Sequence, residues 1–173
     1  MSTAARRARR RRLIGVGVAA LAAAAAVLAD PAPAHAYVGT NILRSYQTGW
    51  CLNSDAPGTV NSRPCSTPIG SNKRQMWEPI YLRHDTSDWV MLRNVATNQC
   101  LQADAPWFEI LTVGCVAGVG PAWKAEGTWQ NVIFRQWPDN AGRVPISLAT
   151  DATHDVFPKR YDGSNFDRWR YGG

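Results

Sequence analysis

From Tyr37 onward the apolar residues come in short runs. Trp89-Val90-Met91-Leu92-Arg93-Asn94-Val95 and Asn131-Val132-Ile133-Phe134-Arg135 carry β-branched and aromatic residues. Turn-forming stretches such as Asp139-Asn140-Ala141-Gly142 and Asp162-Gly163-Ser164-Asn165 bound them. No stretch of this region holds apolar residues at i, i+3, i+4 and i+7 over three turns without Pro or Gly interrupting, so the helical period is missing. Eleven prolines and fourteen glycines in the chain agree with that. The pattern predicts short strands joined by turns, an all-β domain.

The first 36 residues follow a different pattern. Six arginines lie between Arg6 and Arg12, and a continuous apolar run follows from Leu13 to Leu28. A Pro/Ala stretch then leads to Ala34-His35-Ala36 before Tyr37. A basic segment, an apolar segment and an A-x-A site are the parts of a secretory signal peptide. Sixteen apolar residues fall short of the roughly 20 that cross a bilayer. Residues 1–36 are therefore expected to be removed, leaving residues 37–173 as a single secreted, extracellular domain. The arginine run loosely matches a twin-arginine signal, so the export route stays open between two pathways.

Within the mature region the pattern repeats. Leu43-Arg44-x3-Thr48-x2-Cys51-Leu52-x2-Asp55-Ala56-Pro57 returns 49 residues later as Leu92-Arg93-x3-Thr97-x2-Cys100-Leu101-x2-Asp104-Ala105-Pro106, with eight of fifteen positions identical. A period of this size marks an internally repeated architecture. Ser147-Leu148-x2-Asp151-Ala152 is an eroded third copy in which serine replaces cysteine. Trp77, Trp129 and Trp169 close the copies and are expected in the core. Three units of about 39–87, 88–135 and 136–173 then fill the domain. Four cysteines permit three connectivities. If each copy is one structural unit, the pairs are Cys51–Cys65 and Cys100–Cys115, and unit three has no bridge.

Removing the first 36 residues changes the charge balance. The chain has 19 basic and 13 acidic residues, and residues 1–36 hold six of the former and one of the latter. Thirteen against twelve leaves the mature chain nearly neutral. Without an excess of positive charge there is no electrostatic footprint for nucleic acid or an anionic membrane. No second apolar segment of the mature chain could span a bilayer, and no cofactor or metal motif occurs. A monomer is expected.

Three units with Cys-Leu near the start and a Gln-x-Trp-like end resemble the ricin-type lectin domain, a β-trefoil. Cys51-Leu52, Cys65 and Gln75-Met76-Trp77 carry the resemblance in unit one, Cys100-Leu101, Cys115 and Trp129 in unit two, and Leu148 and Trp169 in unit three. The segment from Trp89 to Gln102 is also similar to the lectin-like subunits of cytolethal distending toxins. The resemblance implies shallow sugar pockets built from an acid, an aromatic ring and an amide, and hence glycans or glycoproteins as partners. A sugar needs both a ring for its C–H face and fixed polar partners for its hydroxyls.

The chain departs from that pattern. The acid that follows Cys-Leu in sugar-binding copies is replaced by Asn53, Gln102 and Ala149, and Asp55, Asp104 and Asp151 come two residues later. Unit three alone keeps an acid, a ring and an amide in order, as Asp151, Tyr161 and Asn165, and is the first candidate pocket. Asp55 and Asp104 stand in Asp-Ala-Pro turns, where an aspartate bonds backbone N–H groups. Trp107-Phe108 follows the unit-two turn without a counterpart in unit one and is a candidate stacking platform. Catalytic residues are not expected: His84 and His154 sit in no recognisable motif, although His154-Asp155 beside Asp151 can be drawn as an acid/base cluster. The expected function is a non-catalytic carbohydrate-binding module. The alternative is a protein-recognising module such as a toxin-like targeting subunit or inhibitor.

Overall fold

The computed structural model describes residues 39–104, 109–116, 120–136 and 145–172. Twelve strands occur among them. Unit one supplies β1 (Asn41–Ser45), β2 (Cys51–Asn53), β3 (Asn61–Arg63) and β4 (Met76–His84). Unit two supplies β5 (Asp88–Asn94), β6 (Cys100–Asp104), β7 (Glu109–Val113) and β8 (Trp123–Thr128). The remaining four are β9 (Asn131–Gln136), β10 (Ile146–Thr150), β11 (Val156–Arg160) and β12 (Trp169–Tyr171). All pairings are antiparallel. β1, β4, β5, β8, β9 and β12 form a ring that closes where β12 meets β1. The six other strands form the hairpins β2–β3, β6–β7 and β10–β11, one for each unit.

The repeated sequence places the same side chains at the same three places. Leu43, Leu92 and Phe134 occupy one buried tier, and Leu52, Leu101 and Leu148 another; all six are fully buried. Phe134-Arg135 is thus the third copy of Leu43-Arg44, hidden by the change of apolar residue. Unit three starts with β9 at Asn131, where the expected boundary at 135/136 would cut that strand. The turn entering each cysteine needs a left-handed residue, met by Gly49 (φ +73°) in unit one and Asn98 (φ +57°) in unit two.

Three fully buried indoles complete the core, and their N–H groups bond the carbonyl of the tier leucine. Trp77 donates to Leu52 at 3.0 Å, Trp123 to Leu101 at 2.8 Å and Trp169 to Leu148 at 2.8 Å. The expectation for Trp129 is corrected here: Trp123 is the core indole of unit two, and Trp129 is 45% exposed. The cause is spacing. The leucine-to-indole intervals are 25, 22 and 21 residues. Trp129 falls past the end of β8, in the two-residue turn between Thr128 and its strand partner Asn131.

Both expected disulfides are present, Cys51–Cys65 and Cys100–Cys115. A loop of this size contributes about 3 kcal/mol in the chain-entropy model. Unit three shows what replaces the bridge. The hairpin registers pair Cys51 with Arg63, Cys100 with Val113 and Ser147 with Lys159. The second cysteine lies two residues beyond the partner in units one and two, and Tyr161 lies there in unit three. In unit one Arg44 Nε reaches Cys65 Sγ at 3.3 Å; in unit three the Arg135 guanidinium lies 4.1 Å from the centroid of the Tyr161 ring. A tyrosine under an arginine stands where the other units place a disulfide.

A second exchange accompanies it. Gln75 Oε1 accepts from Ser66 N at 2.8 Å, and Gln75 Nε2 donates to Pro64 O at 2.9 Å, clamping the segment after β3 that carries Cys65. In unit three the position belongs to the fully buried Asp167, whose Oδ2 accepts from Asp162 N at 3.3 Å. Burial raises the Asp167 carboxyl above the usual carboxylate range, against the opposing Asp162 amide and the Lys159 ammonium 3.7 Å away.

Candidate functional site

The three hairpins lean on their neighbours, which decides the surroundings of the expected site residues. The unit-one tip sends Gly58 N to Thr112 Oγ1 at 2.9 Å and to Gln99 Oε1 at 3.2 Å in unit two. The unit-three tip does the same to unit one, by register. His154, left-handed at φ +73°, stacks on Trp50 with ring centroids 3.5 Å apart and planes 4° off parallel, and Ser62 Oγ bonds its carbonyl. Trp50 and Ser62 correspond to Gln99 and Thr112. The tip of unit two, with Trp107 and Phe108, lies outside the described residues.

Of the expected acids only Asp151 makes the backbone bonds of a turn; Asp55, expected to do the same, bonds the Asn61 side chain instead. Asp151 Oδ1 accepts from Thr153 Oγ1 at 2.6 Å, Thr153 N at 2.8 Å and Asp155 N at 3.0 Å. These bonds, the Thr153 hydroxyl foremost, hold its carboxyl below the ordinary value. Within the His154-Asp155-Asp151 cluster the imidazole lies on Trp50 while the Asp151 carboxylate caps its own turn, and the charge of His154 also acts on Asp151. Asp55 accepts from Asn61 Nδ2 at 2.9 Å and lies 3.5 Å from Arg63 and 3.7 Å from Arg74. Its carboxyl is lowered chiefly by the Asn61 bond. Asp104 ends β6, half-buried and opposite Glu109 of β7.

The structure does not bring Asp151 to Tyr161. Thr150 pairs with Val156 beside the hairpin turn, and Ile146 pairs with Arg160 at the far end. Five strand residues separate the acid's end from the ring, roughly 17 Å at the usual rise. One face of Tyr161 is covered by Arg135. Asn165 is exposed at the start of a short 3-10 turn, Asn165–Asp167. Among the described residues, no group of three His, Cys, Asp or Glu side chains could hold a metal ion.

A different place combines a ring with polar donors. Arg44, Ser45, Tyr46, Gly49 and Arg170 line an open cleft of about 180 Å³ between the β1–β2 turn and β12. Tyr46 is 49% exposed there. The turn is tied down from both sides: Ser45 N bonds Trp50 O at 2.8 Å, and Tyr46 N bonds Arg168 O at 2.9 Å. Ser45 Oγ is shared with Thr150 at 2.9 Å, fixing the cleft floor to unit three. Sequence reading missed this place. Arg44 was visible in the repeat, but its neighbour Arg170 stands 126 residues away and joins it only when β12 meets β1.

No family model matches the sequence, and no curated protein matches it. Solved structures do. A crystal form described as the BEL beta-trefoil matches with a TM-score of 0.61 at 10% identity, over 78% of this chain and 93% of that one. Six ring strands and three hairpins, one hairpin per unit, decide the matter together with that match. The fold is a β-trefoil. The Rhizoctonia solani agglutinin aligns with this trefoil at a TM-score of 0.57 and 16% identity, over 78% of this chain and 94% of the other. A mosquitocidal holotoxin aligns at 0.63 and 14%, over 78% of this chain and 16% of the holotoxin. The trefoil thus spans nearly all of two of these proteins and a small part of the third.

Proposed function

We propose that the mature trefoil is a secreted, non-catalytic module that binds carbohydrate, as a monomer, on glycans or glycoproteins. The observation that carries the reading is the Tyr46 cleft: an exposed ring on a turn tied down by backbone hydrogen bonds, beside the cationic donors Arg44 and Arg170, the pairing a sugar's C–H face and hydroxyls require. The likeness of the fold to an agglutinin supports it. Export is supported by the signal-like residues 1–36 and by two disulfides, which persist in oxidising compartments.

A glycan array with the exported mature chain tests the reading. Binding is expected, with Tyr46→Ala weakening it about tenfold. Because Tyr46 is half-exposed, the melting temperature of that variant should stay within a degree or two. Absence of any binding at millimolar sugar removes the proposal. The protein-recognising alternative draws support from one observation: none of Asn53, Gln102 and Ala149 supplies the acid of the lectin pattern. Capture of one protein partner, undisturbed by competing sugars, decides for it.

A further inference from the structure

The three units carry the same arginine, Arg44, Arg93 and Arg135, each opposite a residue of the neighbouring ring strand. Arg93 faces Glu78 and forms an ion pair with it, Nε to Oε2 at 3.1 Å. Arg135 faces Lys124, and Glu126 lies 3.2 Å from the arginine and 3.7 Å from the lysine. Arg44 faces Arg170. Among the described residues no carboxylate comes within 4 Å of either guanidinium. Arg44 Nε turns to Cys65 Sγ, and the Arg170 guanidinium lies 6.0 Å from the centre of the Tyr46 ring. Like charges directly opposite on a sheet are unfavourable. Two of the three related positions neutralise theirs, and the third holds two cations at the mouth of the cleft.

That departure from threefold symmetry is local, since the mature chain is nearly neutral. It matches a ligand that brings its own negative charge. Resting on the carbohydrate reading above, we propose that the cleft of Arg44, Arg170 and Tyr46 binds the acidic group of a charged sugar, a carboxylate or a sulfate. A guanidinium fork fits either group through two parallel N–H donors. Tyr46 covers the ring carbons beside it. At about 180 Å³ the cleft is smaller than the roughly 300 Å³ of an ordinary small-molecule site and suits one terminal residue. An acidic terminal sugar, not an internal neutral one, is its ligand.

Calorimetric titration of the mature chain with sialic acid, galactose 6-sulfate, galactose and inorganic sulfate tests this. Both acidic sugars are expected to bind, and about tenfold more weakly when salt rises from 50 to 500 mM. Arg170→Glu should remove their binding while copying the Arg93–Glu78 pair, so the variant should melt no lower than the parent. Tyr46→Ala should weaken the acidic sugars about tenfold and leave inorganic sulfate unchanged. Acidic-sugar binding that survives Arg170→Glu overturns the site. Inorganic sulfate binding as tightly as the sugars overturns the ligand class. If neutral glycans bind the parent and acidic ones do not, this inference falls and the carbohydrate reading stands; if no sugar binds, both fall.

Discussion

Units one and three meet the same packing requirement with different chemistry. Unit one holds its hairpin with a disulfide, a clamping glutamine and an arginine against sulfur. Unit three uses Ser147, Tyr161, Asp167 and an arginine against a ring. The positions are related by strand register, and the core tiers beneath them are alike. The comparison teaches that a position can keep its mechanical task while losing its residue identity. It also reassigns Tyr161. A ring that reads as a sugar platform from its order in the chain is the stand-in for a cysteine, with one face already occupied.

The largest effect tests whether the units share one core. Leu52→Ala and Leu148→Ala each empty a fully buried tier position, and each should cost about 2–5 kcal/mol in urea unfolding. Costs differing by more than about 2 kcal/mol would break the equivalence. The next test transplants the bridge. Ser147→Cys with Tyr161→Cys should form a third disulfide, seen as no free thiol on alkylation and mass analysis. Removing Cys51–Cys65 should cost about 3 kcal/mol, and the new bridge should return a similar amount. Two free thiols in the oxidised double variant would refute the alignment of Tyr161 with Cys65.

The smallest effect concerns the exchanged clamp. Burial raises the Asp167 carboxyl, so its stabilising contribution is complete below the ordinary carboxylate value and is lost as pH climbs through the raised one. Asp167→Asn should therefore stabilise the protein at pH 7 by about 1 kcal/mol, with the gain shrinking toward pH 4. Lys159 is not stranded by the change, because Asp162 lies 2.8 Å from it. Unfolding curves at the two pH values check this, and a gain that grows on acidification contradicts it.

Much of the architecture was legible in the chain. Eight matching positions tie units one and two together and pair the cysteines. Unit three is faint because the packing task survived where identity did not: Phe134 for leucine, Tyr161 for cysteine, Asp167 for glutamine. Trp129 misled because the loop before β8 is shorter than its unit-one counterpart, which moves the core indole to Trp123. The candidate site was the least legible. Asp55 and Asp151 look alike as acids in a string of letters, and only hydrogen bonds reveal that Asp55 is engaged by Asn61 and Asp151 by its own turn. Arg44 facing Arg170 needs ring closure, which no local pattern encodes.

That closure has a consequence for the cleft. β1 and β12 are the first and last strands of the ring, and one arginine of the cleft comes from each. The binding surface therefore comes into being only when the two extremes of the fold join, so possession of a working site certifies a finished barrel. By the same token, a ligand held across that seam fastens the ring shut. At a hundredfold excess over its dissociation constant, it would add about 2.7 kcal/mol to the stability of the whole domain.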